Sequence, residues 1–166
     1  MRRWLLAALF ASVIGQASAQ KLKMSDVFRQ MPDSLMPYLT TNNRLDFIDF
    51  MDSGMKAEVT NMVGGVSEMT ALTSDSLSIR MSQALRVDML LMTLPEPIDS
   101  ISQVVVMAET FLVDSLYGET VCRTYSADWK PLPGASISWT PAQQQRLESL
   151  YLQNILNWND DKLKNR

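Results

Sequence analysis

Between Ser67 and Ser126 the hydrophobic period is two, and this limits the chain to a sheet-based fold. Leu77, Ile79 and Met81 fall on one side of an extended segment while Ser76, Ser78, Arg80 and Ser82 fall on the other, the pattern of a strand with one buried face. Residues 68–72, 86–92, 103–110 and 119–126 read as further strands. They are separated by Thr73-Ser74-Asp75, by the segment from Pro95 to Ser100 and by the segment from Asp114 to Gly118. Such links are too short for crossover helices, so the strands are expected to run antiparallel. Val104 to Met107 is apolar on both sides, which predicts a central position.

On either side of this region the signals are helical. Ser25 is a candidate cap for a short helix through Met31, which Pro32 ends, and residues 33–39 make a further turn or two. Asn43 with Asp46 three residues on predicts the start of a longer helix running to about Ser53 and closed by Gly54. Asp46, Asp49 and Asp52 form one stripe on that helix, with Phe47, Ile48, Phe50, Met51 and Met55 around the rest. After a turn at Ala127-Asp128-Trp129 and a linker from Pro131 to Gly134, Thr140-Pro141 with Gln143 has the form of a capping box. It predicts a helix over 141–157 with Leu147, Leu150, Tyr151 and Ile155 on one face. The expected class is α+β: an antiparallel meander of five or six strands, with the N-terminal helices and the C-terminal helix packed on one face.

The first residues predict export. Met1-Arg2-Arg3, an apolar run from Trp4 to Gly15 and Ala17-Ser18-Ala19 follow the charged, apolar, small-residue order of a cleavable signal peptide, with cleavage between Ala19 and Gln20. The apolar run is too short to span a bilayer, which needs about 20 residues, and no Cys follows it to take a lipid. The expected organisation is a signal peptide over 1–19, one α+β domain over 20–158 and a frayed polar tail over 159–166.

Loss of Arg2 and Arg3 leaves 13 basic against 18 acidic residues, a net charge of −5. With no cluster of Lys and Arg, nucleic acid is not an expected partner. The chain has no His, which removes Ser-His-Asp and Cys-His activation, His-ligated metals and the usual pH switch. Its single Cys, Cys122, permits no intramolecular disulfide and reads as a small buried residue on a strand.

Each candidate for chemistry has a simpler account. The Asp46, Asp49 and Asp52 stripe cannot wrap a hard cation, because a straight helix does not supply the six or more oxygens such an ion takes, so a solvated face is expected. Ser53 and Lys56 have the spacing of a serine nucleophile and its lysine base, but the companion Ser-Asp-Asn and Lys-Thr-Gly elements are absent. Met51 with Met55 and Met89 with Met92 are spaced to touch. Twelve Met in all could line an adaptable apolar groove, or bind cuprous copper, or simply fill the core. No cofactor or metal is expected.

Several segments carry a resemblance: Met31-Pro32-Asp33-Ser34-Leu35, Asn43-Arg44-Leu45-Asp46-Phe47-Ile48-Asp49-Phe50, Met55-Lys56-Ala57-Glu58-Val59-Thr60-Asn61 and Tyr125-Ser126-Ala127-Asp128-Trp129-Lys130-Pro131-Leu132. In order and spacing the chain resembles a family of exported Bacteroidetes proteins called domain of unknown function 3256, over roughly 27–133. The family often has cysteines where this chain has Thr110-Phe111-Leu112-Val113, so no disulfide is carried over. The resemblance implies an envelope location, in the periplasm or at the cell surface, and no catalytic residue.

Asp-Ser-aliphatic occurs four times, at Ser34, Ser76, Ser100 and Ser115. It suits turn chemistry and also resembles the acceptor tripeptide of O-glycosylation in Bacteroidetes envelopes. The leading expectation is therefore a non-catalytic exported module that binds an envelope protein, peptide or polymer. The alternatives are a carrier or inhibitor with a Met-lined groove, and a hydrolase using paired carboxylates, for which Asp128 beside Trp129 is the first place to look.

Overall fold

The structure, a computed structural model, describes residues 22–113, 116–134 and 137–150. The signal segment with Ala19 and Gln20, the serine at 115, the helix face beyond residue 150 and the polar tail lie outside the described residues.

The alternating region forms one seven-stranded sheet in which every strand pairs antiparallel with the next in sequence, giving the order β1 to β7. The strands are β1 (Ala57–Thr60), β2 (Val66–Leu72), β3 (Ser76–Arg80), β4 (Leu85–Ile98), β5 (Ile101–Val113), β6 (Leu116–Ser126) and β7 (Pro131–Leu132). The count exceeds the expected five or six because β1, four residues after a glycine, and β7, two residues beginning with proline, are too short to show a period. The expected 131–134 linker is thus partly a strand.

β4 also runs on through Pro95 and Pro97, where the sequence suggested a link. The pairing of β3 with β4 ends at Ser76 opposite Leu90. Just beyond it Leu91 N–H still bonds the Asp75 carbonyl, and at Pro95 and Pro97 no strand among the described residues pairs with β4 on that side, so a proline without an N–H interrupts no ladder there. The β4–β5 hairpin closes at Ile98 opposite Ile101, with Asp99 at φ 45° and Ser100 at φ 71°. Two positive φ values define a type I′ turn, which Asn-Gly adopts with least strain. Asp99→Asn/Ser100→Gly is therefore expected to stabilise the protein by about 1 kcal/mol, seen as a rise of roughly 2–4 °C in a thermal melt.

Among the described residues three helices flank the sheet: α1 (Met24–Arg29), α2 (Thr41–Asp52) and α3 (residues 141–150). A single 3-10 turn, Asp33–Leu35, joins the first two. The cap of α1 is Lys23, with no side-chain bond, so Ser25 lies inside the helix instead of capping it. The cap of α2 is Thr40, not Asn43. Thr40 Oγ1 accepts the Asn43 N–H at 3.1 Å and Asn43 Oδ1 accepts the Thr40 N–H at 3.1 Å, a capping box that moves the start three residues back. Gly54, at φ 66°, ends α2 as expected. For α3 the expected box is present: Gln143 N–H donates to Thr140 Oγ1 and Thr140 N–H to Gln143 Oε1.

The core has two layers because β4 and β5 are apolar on both sides. Val87, Met89 and Leu91 with Val105 and Met107 face one side, against Met24, Val27, Phe28, Phe47 and Ile48 of α1 and α2. Leu90, Met92 and Leu94 with Val104 and Val106 face the other, against Ile137 and, on α3, Leu147 and Leu150. Successive strand residues point to opposite faces, so α3 lies across the sheet from α1 and α2. The expectation of all helices on one face gives way to this two-sided arrangement, whose sign is the unbroken apolar run in β4 and β5. Gln143 Nε2 donating to the Thr93 carbonyl at 2.6 Å and Arg146 paired with Asp75 at 3.0 Å hold α3 in place.

Candidate functional site

Asp46, Asp49 and Asp52 are all exposed on the outer side of α2. Among the described residues no group of three or more carboxylates or thiols is placed to hold a metal ion. Ser53 is the exposed C-cap of α2, and Lys56 is paired with Glu58. That bond to Glu58 pushes the Lys56 pKa up, the opposite of what a general base requires.

The methionines fill the core. Met24, Met31, Met36, Met69, Met81, Met89 and Met107 are buried in the first layer and Met92 in the second, so Met89 and Met92 lie on opposite faces of the sheet and do not pair. Met55, beyond the end of α2, is exposed, and Met51 is half-buried. A depression of about 340 Å³ lies at the α1–α2 side, but polar Lys23, Ser25, Asp52, Thr73 and Ser74 line it with only Met51 and Leu72. It is not a Met-lined groove.

Asp128 and Trp129 do not form a carboxylate site. Asp128 is exposed and pairs with Lys130 at 2.7 Å, which with Ser126 holds its carboxyl below the usual range. Trp129 is a buried anchor whose Nε1–H donates to the Val27 carbonyl at 2.9 Å. Cys122 is exposed, contrary to expectation, since it stands opposite Ala108 on β6 and belongs to neither core layer. Partial burial still raises its thiol pKa.

The Asp-Ser-aliphatic serines separate by environment. Ser34 in the 3-10 turn and Ser100 at the β4–β5 turn are exposed. Ser76 is half-buried in β3 with its hydroxyl 2.7 Å from Thr73 Oγ1.

What the sequence reading passed over is the β1–β2 turn. Asn61 is buried, and its side chain organises the whole turn: Oδ1 accepts the N–H groups of Val63 at 3.1 Å and Gly65 at 3.0 Å, while Nδ2 donates to Ser67 Oγ at 3.0 Å and the Met81 carbonyl at 3.3 Å. Asn61 N–H bonds the Gly65 carbonyl, Gly64 N–H the Asn61 carbonyl and Met62 N–H the Tyr38 carbonyl. Every N–H from Asn61 to Gly65 is thus used within the protein. Gly64 takes φ 80°, and a Cβ at Gly65 would lie in contact with the Asn61 amide at 3.4 Å. The turn nonetheless presents Met62, Val63 and Val66 to solvent, 64%, 70% and 60% exposed. Gly64-Gly65, three residues after Asn61, was the available signal. Asn61→Ala is expected to cost about 2–3 kcal/mol, since it removes two buried bonds to Ser67 and Met81 and the acceptor of the Val63 and Gly65 N–H groups, and denaturant unfolding checks it.

A second apolar tip lies at the same end. In the register of the meander, β2 begins, β3 ends, β4 begins and β5 ends on this side. Phe111 and Val113 at the end of β5 are 41% and 64% exposed, and Leu112 N–H is bonded to the Ala84 carbonyl of the β3–β4 turn.

The outer edges of the sheet are by contrast blunted. Glu58 N–H is turned to the Lys56 carbonyl, the Thr60 carbonyl accepts from Asn43 Nδ2, and β7 is two residues with a proline. Among the described residues no helix is long and apolar enough to cross a membrane.

Fold and surface together define an α+β protein built on an antiparallel meander with helices on both faces and an apolar turn end. The family model described as "Protein of unknown function (DUF3256)" matches residues 16–164, and the chain belongs to that family. A solved structure, a domain of an uncharacterized protein from Porphyromonas gingivalis W83, is similar in fold, with a TM-score of 0.56 and 22% identity over 72% of this chain. The chain spans 58% of that structure's length. No curated protein matches.

Proposed function

We propose that this protein is an exported, non-catalytic interaction module of the cell envelope that makes contact through the turn end of its sheet. The observation that carries this reading is the β1–β2 turn, where apolar side chains are held outward on a backbone whose N–H groups are all satisfied internally. Exposed apolar side chains grouped on an ordered scaffold mark contact sites, whereas scattered ones do not. The signal-like first residues support placement outside the cytoplasm. The carrier alternative is weakened by the methionines packed into both core layers.

The test is a photoreactive side chain at Val63 in the source cells, with Asp52 at the opposite end of the molecule as control. Adducts with envelope material at 63 and none at 52 are expected. Equal yields at the two positions would remove the reading.

The exposed hydroxyls of Ser34 and Ser100 favour a further property, an O-linked sugar on either serine, with Ser76 spared. Intact mass of the protein from its source should then show hexose-sized increments that disappear in Ser34→Ala/Ser100→Ala.

A further inference from the structure

We infer that Met62 is a modification site: peroxide converts its thioether to the sulfoxide, and the oxidised β1–β2 tip loses its contact. The inference rests on the interaction-module reading and names how that contact is regulated. Burial makes the reaction selective. The methionines of the two core layers are at most 4% exposed, and Met51 is half-buried, whereas Met62 and Met55 are 64% and 54% exposed. A thioether must meet the oxidant to react, so among the described residues these two are the most open to it. The sulfur attacks one peroxide oxygen, an S–O bond forms as the O–O bond breaks, and water leaves with both peroxide protons. Sulfur is oxidised by two electrons and the peroxide is reduced. A thiol-dependent sulfoxide reductase reverses the step, two thiols becoming a disulfide as the oxygen departs in water.

The change is one of surface chemistry, because no bond that shapes the turn uses the Met62 side chain. Asn61 Oδ1 takes the Val63 and Gly65 N–H groups, and the Tyr38 carbonyl takes that of Met62. Residues 59–67 carry no charge, so the tip has no side chain that titrates. A sulfoxide oxygen, a strong acceptor in a tip otherwise formed by Val63 and Val66, is then the largest change of polarity open to it. Buried in an apolar contact without a donor, it weakens that contact roughly tenfold or more. Met55 is an internal control. It precedes β1 while the tip follows it, so oxygen there leaves the contact unchanged.

The experiment uses the photoreactive side chain at Val63 in a Cys122→Ser background, which removes the exposed thiol. The purified protein is cross-linked to the envelope fraction of its source before and after limited treatment with hydrogen peroxide. Peptide mass analysis is expected to find one added oxygen on Met62 and on Met55 and none on the core methionines. Adduct yield at 63 falls roughly tenfold or more, with the thermal transition unchanged. Met62→Leu keeps its yield after peroxide, Met62→Gln matches the oxidised protein without it, and Met55→Leu responds as the wild type does.

Core methionines oxidised as fast as Met62, a yield that peroxide leaves unchanged, or an equal fall in Met62→Leu would each overturn the inference while the interaction module stands. A thermal transition lowered by the oxidation would also overturn it, since lost folding would then explain the lost adducts. If the untreated protein gives no adducts at 63, both fall.

Discussion

Trp129→Ala is expected to cost roughly 3–5 kcal/mol, the range for removing a buried aromatic side chain, and to lower the thermal midpoint by on the order of 10 °C. Against a total stability of about 5–15 kcal/mol this is one of the largest losses a single substitution can cause here. The tryptophan joins regions 102 residues apart in sequence: its indole N–H bonds the Val27 carbonyl of α1, and its ring packs on Tyr125 with centroids 5.7 Å apart at 52°. It does so from φ 64°, a conformation that bulky residues avoid. What keeps it there is the tight turn beneath. Trp129 N–H donates to the Ser126 carbonyl at 2.9 Å, Ser126 N–H to the Lys130 carbonyl at 2.9 Å, and Lys130 N–H to the buried Ser126 Oγ at 3.0 Å. Trp129→Phe separates packing from hydrogen bonding. It retains most of the ring contact and removes the indole bond, while the Val27 carbonyl keeps the Gln30 N–H, so a cost of about 1 kcal/mol is expected by denaturant unfolding. Equal stability of Trp129→Ala and wild type would show that the turn, not the indole, holds α1 to the sheet.

That anchor shows where sequence reading reaches and where it stops. The motif around Trp129 is visible as a turn, and so are the alternation in β3, the capping box at Thr140 and the glycine that ends α2, because each is a local arrangement of a few residues. The two-sided cover of β4 and β5 is encoded as a continuous apolar run, but which helix goes to which face depends on where the chain returns, and α3 returns to the side opposite α2. Pro95 and Pro97 read as breakers until the sheet shows that among the described residues no strand pairs with theirs there on the β3 side. Met89 and Met92 look like a pair on a helical spacing and separate on a strand, where an odd offset reverses the face. The exposed turn end combines both limits. Its Gly64-Gly65 signal is local, whereas the convergence of the β1–β2 tip with the end of β5 needs the register of four strands.

Arg44→Ala is expected to destabilise by about 3–5 kcal/mol, since removing the buried cation leaves its partners without donors. The guanidinium is 1% exposed, yet it lies on α2 beside Phe47 and Ile48, where sequence alone offers no reason to bury a charge. The reason is the chain crossing it. One of its terminal nitrogens donates to the Met31 carbonyl at 2.6 Å and pairs with Asp33 at 2.7 Å, and the other donates to the Leu39 carbonyl at 3.2 Å. A single planar fork thus satisfies the irregular segment between α1 and α2, and Nε alone is without a partner. Arg44→Lys keeps the charge but not the fork, so an intermediate loss is expected. The pH dependence gives a reading that packing alone would not move. The bond from Arg44, then that from Thr41, holds the exposed Asp33 carboxyl below its ordinary pKa. A carboxylate depressed in the folded state contributes fully above its unfolded pKa of about 4, and the contribution is lost as pH falls through the lower folded value. Stability of the wild type should therefore decline on acidification below about pH 4 more steeply than that of Asp33→Asn or Arg44→Lys. Acid melts that run parallel for all three would place the role of Arg44 in its carbonyl bonds alone.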